Sequence, residues 1–215
     1  MVRILLADDH DVVRRGLREQ LSGHEGWEIC GEACNGREAV QMALKLAPDV
    51  AVIDLSMPEL NGLEATRQIR RELPRTEVLI FTMHETEQLI REVLSAGARG
   101  YVLKSDAGRH LTSAVEALSH RRPFFTARVS EALLDAFLKS NAKEDEGSAF
   151  RTLTAREREI VQMLAEGKSN KEIANNLSIS VKTVETHRAT VMRKLDISSI
   201  VELVHYAIRN QLVEA

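Results

Sequence analysis

The sequence predicts two domains of different class, a doubly wound parallel α/β domain followed, past a polar linker, by a small all-α domain. Three observations support this. Apolar runs at 4–7, 50–53, 78–81 and 101–103 each end on a polar side chain: Asp8 and Asp9, Asp54, Thr82 and Lys104. Segments of helical period separate these runs, and short buried runs alternating with amphipathic helices build a parallel sheet with crossover helices. Strand signals then stop, and from about residue 150 onward only helical periods remain.

Residues 2–8 read as the first strand, and Val12, Val13, Leu17 and Leu21 follow as a helical stripe. Residues 27–34 form a second strand and 37–47 a second helix. The third strand ends at Asp54. The run Met57-Pro58-Glu59-Leu60-Asn61-Gly62 carries breakers ahead of a helix at 63–73. Strand 77–82, helix 86–96, strand 99–104 and helix 107–120 complete five strand–helix repeats. That is an α/β, flavodoxin-like, five-stranded doubly wound domain. Arg121-Arg122-Pro123 stops the pattern. Residues 127–139 look helical, and Asn141-Ala142-Lys143-Glu144-Asp145-Glu146-Gly147-Ser148 is a solvated linker. Four helices fit the remainder, at 155–166, 170–177, 181–195 and 199–210. Gly167 closes the first of them, and Ser169 and Ser180 cap the next two.

Composition sets bounds. Hydrophobic residues make up 44 % of the 215 and charged residues 28 %, enough for real cores and a solvated surface. Net charge is −3, so bulk charge gives no sign of nucleic-acid binding. The balance is local: 16 basic and 19 acidic residues lie in 1–125, against 10 and 8 in 150–215. A DNA-binding reading therefore rests on motif rather than on charge. No apolar run approaches a membrane span. Met1-Val2-Arg3 leads directly into a strand-like run, so no signal peptide is expected. Cys30 and Cys34 have neither zinc nor redox spacing and are expected as buried, reduced thiols.

In a parallel sheet the strand C-termini share one edge, which holds the ligand site. Asp8, Asp9, Asp54, Thr82 and Lys104 therefore converge. Three carboxylates, a hydroxyl and an ammonium suit a divalent cation and a phosphoryl group. His10 and His84 lie nearby in sequence without a ligand-spaced partner, so neither is given a metal role.

Further motifs narrow the reading. Asp54-Leu55-Ser56-Met57-Pro58-Glu59-Leu60-Asn61-Gly62 matches a receiver phosphorylation loop. Leu153-Thr154-Ala155-Arg156-Glu157 and Gly167-Lys168-Ser169-Asn170-Lys171-Glu172-Ile173-Ala174 match a LuxR-type helix-turn-helix. Over roughly 1–120 and 148–215 the chain resembles a two-component response regulator of the NarL/FixJ type. The resemblance implies a receiver domain at 1–122, a linker with a short helix at 123–147, and a DNA-binding domain at 148–215. It implies Asp54 as phosphoacceptor, with a sensor histidine kinase as donor. It also implies Mg²⁺ held by Asp9, Asp54 and the Ser56 backbone carbonyl, with Asp8 acting mostly through water. Two carboxylates 4 Å apart repel by about 4 kcal/mol at an effective dielectric near 20, which a divalent cation relieves. Lys104 would hold a phosphoryl oxygen as a point charge. Thr82 and Tyr101 resemble the family's switch pair, and Ser56 and His84 stand where the family controls water access.

In a helix-turn-helix the second helix enters the major groove, here about 181–195. Val184, Val191 and Leu195 form its inner stripe, with His187 on the same side. Lys182, Thr183, Glu185, Thr186, Ala189 and Arg193 face outward, with Arg188 at the border. Lys171, Lys182, Arg188 and Lys194 are candidates for phosphate contacts, and Glu185 and Thr186 for base edges. Some relatives carry Lys at the Glu185 position, so the target sequence does not carry over.

The whole implies a cytoplasmic, phosphorylation-controlled transcription regulator that binds promoter DNA, dimerises when phosphorylated and has no membrane partner. It is no enzyme beyond its own phosphoryl transfer and dephosphorylation. The alternative is a phosphorylation-independent DNA-binding regulator with a vestigial receiver. Phosphatases of the haloacid dehalogenase type also use a strand-end aspartate, but need a second aspartate where this chain has Ser56.

Overall fold

A computed structural model describes residues 1–131, 153–210 and 212–213. The chain divides into two compact units. The first holds all the described strands in one sheet: β1 Val2–Ala7, β2 Trp27–Ala33, β3 Val50–Ile53, β4 Glu77–Thr82, β5 Gly100–Leu103 and β6 Phe124–Phe125. The order is β2-β1-β3-β4-β5-β6, with every pair parallel. Between them run α1 Asp11–Ser22, α2 Gly36–Leu46, α3 Gly62–Glu72, α4 Glu87–Ser95 and α5 Ala107–Ser119.

The central strands are buried on both faces because helices cover both. Ile4, Leu6, Val50, Val52, Leu79, Phe81 and Val102 share one face with Leu17 and Leu21 of α1 and Leu111, Ala114, Val115 and Leu118 of α5. Alternate residues Leu5, Ala51, Ile53, Ile80 and Tyr101, also buried, point to the other face, where α2, α3 and α4 lie. This is the expected doubly wound class. The sheet gains one strand beyond the five expected. β6 pairs Gly100 with Phe124 and Tyr101 with Phe125; two residues are too few to show a period, and Pro123 before them reads as a stop.

Two expectations need correction. Val12 belongs by period to the buried stripe of α1, yet it is 82 % exposed; the stripe runs through Val13, Leu17 and Leu21, and Val12 lies one step round the helix. Cys34 is exposed rather than buried, because β2 ends one residue earlier, at Ala33; Cys30 is half-buried, and both thiols are free. Residues 127–131 are helical, as expected. The rest of the helix expected at 127–139 and the linker at 141–148 lie outside the described residues.

The second unit has the four expected helices: α6 Ala155–Ala165, α7 Asn170–Leu177, α8 Val181–Leu195 and α9 Ile200–Arg209. Their starts are set by side-chain caps. Thr154, Ser169 and Ser199 each accept from the backbone N–H three residues on, and Glu157, Glu172 and Glu202 reciprocate. Ser180 caps α8 by accepting from Thr183 N–H. Gly167, with φ near +80°, ends α6 in the left-handed region that favours glycine. Ile160, Val161, Ile173, Val184, Val191, Leu203 and Ala207 are fully buried in this unit.

Candidate functional site

Sheet register brings the strand-end residues together. Ala7 pairs with Ile53, Ile53 with Ile80, and Thr82 with Leu103. The next residues, Asp8, Asp54 and Lys104, therefore leave one edge side by side. Asp54 N–H donates to Ala7 C=O at 2.8 Å, and Asp8 N–H to Ala33 C=O at 3.2 Å. Asp8 is fully buried and Asp54 is 2 % exposed. Lys104 opens a 3₁₀ turn, Lys104–Asp106, and its Nζ bridges them, 2.8 Å from Asp8 Oδ2 and 2.9 Å from Asp54 Oδ2.

These charges decide protonation. Burial pushes the Asp54 carboxyl up to about 6; Lys104 opposes the shift, while Asp8 and Asp9 add to it. For Lys104 burial acts downward, but the hydrogen bond to Asp8 and the Asp54 charge reverse this, so its ammonium is held above the ordinary value. Ligand atoms of Asp8, Asp9, His10 and Asp54 all lie within 4.8 Å of one another. This oxygen-rich set fits a hard divalent cation. His10 stands in the cluster, with Nδ1 2.8 Å from Asp9 Oδ1 and 3.3 Å from Asp8 Oδ1. The sequence alone gives His10 no metal role. The signal is present in the unbroken Asp8-Asp9-His10 run at a strand end, since the first residues of a β–α turn stay at the edge.

The loop after Asp54 is pinned tightly. Asn61 caps α3 by accepting from Glu64 N–H, and Gly62 N–H donates to Leu55 C=O at 2.9 Å. A Cβ on Gly62 would fall 1.9 Å from the Asp54 carbonyl oxygen, so only glycine fits. Ser56 Oγ lies 3.4 Å from His84 Nε2. Thr82 is fully buried, and its Oγ1 accepts from His84 N–H at 3.3 Å. Tyr101 is fully buried too, and its hydroxyl donates to His84 C=O at 2.5 Å. Burial, then the Glu85 charge, hold that phenol protonated.

In the second unit α7 and α8 meet across a turn in which Ser178 is left-handed. Lys182, Glu185, Thr186, Ala189, Thr190 and Arg193 line a shallow recess on the outer face of α8. Thr183 of α8 and Lys171 of α7 are exposed, as are Lys182, Glu185, Thr186 and Arg193 of the recess, whereas His187 and Arg188 are partly buried. Lys182 pairs with Glu185 at 3.5 Å, Thr183 Oγ1 lies 2.8 Å from Ser180 Oγ, and Thr186 Oγ1 donates to Lys182 C=O at 2.9 Å. Lys194 differs from the rest. Its Nζ lies 2.7 Å from Glu157 Oε2, tying α8 to α6. Burial raises the Glu157 carboxyl, but the hydrogen bonds from Lys194 and the Thr154 backbone outweigh it and lower it.

Comparison with known proteins is decisive. The response regulator receiver domain profile matches residues 4–116, and that of the bacterial regulatory proteins of the luxR family matches residues 151–207. The chain belongs to the response regulators. It joins a receiver domain to a LuxR-type DNA-binding domain and is a DNA-binding transcription regulator. The transcriptional regulatory protein LiaR of Bacillus subtilis is 38 % identical over 213 residues, covering 99 % of this chain and all of LiaR. The oxygen regulatory protein NreC of Staphylococcus carnosus is 39 % identical over 217 residues, with 99 % of this chain and all of NreC covered. Among solved structures, the RcsB response regulator of Salmonella typhimurium matches with a TM-score of 0.60 at 28 % identity, over 96 % of this chain and 98 % of that one. RcsB of Salmonella enterica serovar Typhimurium bound to the rprA promoter, with a phosphomimetic present, gives 0.59 at the same identity and coverage. Among the described residues of this response regulator, no helix is long and apolar enough to cross a membrane.

Proposed function

We propose that this response regulator accepts a phosphoryl group on Asp54 from a sensor histidine kinase and thereby changes its dimerisation and promoter binding. The observation that carries this is the Lys104 ammonium bridging buried Asp8 and Asp54 at 2.8 and 2.9 Å on the strand-end edge. Burying two carboxylates against one ammonium carries a desolvation cost of several kcal/mol per ion, and groups so perturbed concentrate at functional sites. An Asp54 carboxylate oxygen attacks phosphorus; the new P–O bond forms as the donor's P–N bond breaks, and the electron pair leaves on the donor nitrogen. Lys104 then turns from Asp54 to a phosphoryl oxygen. Asp9, Asp54 and the Ser56 carbonyl would hold Mg²⁺, with Asp8 orienting its water. When bound, the ion neutralises charge on the carboxylates and the transferring group. The receiver thus catalyses only its own phosphorylation and dephosphorylation.

The domains fall at 1–122, 123–147 and 148–215. Lys171, Lys182 and Arg188 contact DNA phosphates, and Thr183, Glu185 and Thr186 face base edges. Arg193 joins them at the recess, while Lys194 serves α6 more than DNA. Ile200 and Val201 of α9 are 39 % and 59 % exposed, an apolar edge suited to a second copy. The protein works in the cytoplasm, beside its kinase and promoter.

A small phosphodonor with Mg²⁺ tests the acceptor. Wild-type protein is expected to gain one phosphoryl group by intact mass, and folded Asp54→Asn protein none. Labelling of Asp54→Asn at the wild-type rate would overturn the assignment.

A further inference from the structure

Two contacts join the first residues beyond the five-repeat receiver pattern to the switch residues. Phe125 of β6 pairs in register with Tyr101. Three residues on, Arg128 Nε lies 2.5 Å from Glu85 Oε1. Glu85 follows His84, whose N–H donates to Thr82 Oγ1 and whose C=O accepts the Tyr101 hydroxyl. The segment is ordered locally around Thr126. Its carbonyl accepts from Ser130 N–H at 2.9 Å, and its Oγ1 accepts from Val129 N–H at 3.4 Å. Val129 is 1 % exposed, so this turn is docked rather than merely attached. The Glu85 side chain is 19 % exposed and that of Arg128 77 %.

We propose that residues 124–130 read the state of the switch, with the Glu85–Arg128 ion pair as the latch that holds the start of the interdomain connection on the loop after β4. In the unmodified protein Thr82 Oγ1 and Tyr101 both fix the His84 backbone, and Glu85 is thereby presented to Arg128. When the Thr82 hydroxyl turns to a phosphoryl oxygen it gives up His84 N–H. The loop then moves and the latch opens, freeing the turn at Thr126. The inference rests on the proposed phosphorylation for its trigger, but the latch itself can be tested without it. A pair with one exposed partner is a weak tie, worth about twofold to fivefold in a local opening equilibrium. That suits a contact that must yield during signalling.

Hydrogen exchange of the full-length protein, followed at the Val129 and Ser130 amides, tests this in two arms. In unmodified protein, Glu85→Gln and Arg128→Glu are each expected to speed exchange about twofold to fivefold. The double exchange Glu85→Arg with Arg128→Glu should restore the wild-type rate. Wild-type exchange in both single variants would overturn the latch. In the second arm, wild-type protein and both single variants are treated with a phosphodonor and Asp54 occupancy is measured by mass. Faster exchange at Val129 and Ser130 in the labelled fraction, with no further gain in the single variants, supports the coupling. Labelled protein with unchanged exchange overturns it. Failure of Asp54 to label overturns the phosphorylation reading instead, and the first arm then decides the latch alone.

Discussion

Asp54 carries a conflict between burial and charge. Its pKa is raised from 3.8 to about 6. A carboxyl raised on folding favours the folded state while protonated, below its unfolded value, and that advantage is lost as pH rises through about 4 to 6. Above pH 6 the ionised group costs the metal-free receiver on the order of 3 kcal/mol. Asp54→Asn removes the charge and keeps the shape. In chelator-treated protein its melting temperature should exceed that of wild type by several degrees at pH 7, with the gap shrinking towards zero at pH 4. A gap independent of pH would contradict the burial argument. The site is largely legible at this scale, because Asp8, Asp9, Asp54, Thr82 and Lys104 each close an apolar run, and parallel strands end on one edge. His10 escapes for want of a histidine partner in sequence. The pair that Lys194 makes with Glu157 is not legible, because the two lie 37 residues apart and no local pattern links them.

Elements are legible where periodicity or capping chemistry marks them. Thr154, Ser169, Ser180 and Ser199 start all four helices of the second unit, and α7 and α8 keep the boundaries read from sequence. β6 is not legible, since its two residues gain strand geometry only by pairing with β5. The loop from Asp54 to α3 shows why a motif can demand one residue. Gly62 has an ordinary backbone but no room: a methyl group there would lie 1.9 Å from the Asp54 carbonyl oxygen and 2.9 Å from Leu55 Cα. Gly62→Ala should therefore cost about 1–3 kcal/mol in chemical denaturation and slow Asp54 labelling, because the backbone that yields is the one carrying Asp54, the proposed nucleophile. Wild-type stability and labelling together would show that the close approach does not constrain the site.

At the scale of the whole molecule, the proposed function requires phosphorylation of Asp54 to change DNA binding by α8. Reversing a population from 1:99 to 99:1 takes about 5.5 kcal/mol of differential stabilisation. On the proposed function, the sources are new bonds from Thr82 and Lys104 to the phosphoryl group and burial of the exposed edge of α9 against a second copy. A weak latch at Glu85 and Arg128 adds little to that sum but sets where the change is felt. Two-domain organisation is legible in sequence because strand signals end before the helical half begins. The contacts among Tyr101, His84, Glu85 and Arg128 are not, because residues far apart in sequence meet there only in the fold. The deciding measurement is the affinity of full-length protein for promoter DNA, selected from a random pool, with Asp54 unmodified and with Asp54 phosphorylated. Phosphorylated protein should bind at least about tenfold more tightly, as a dimer, and affinity should fall steeply with added salt. Equal affinity of the two forms at the same salt would contradict phosphorylation control.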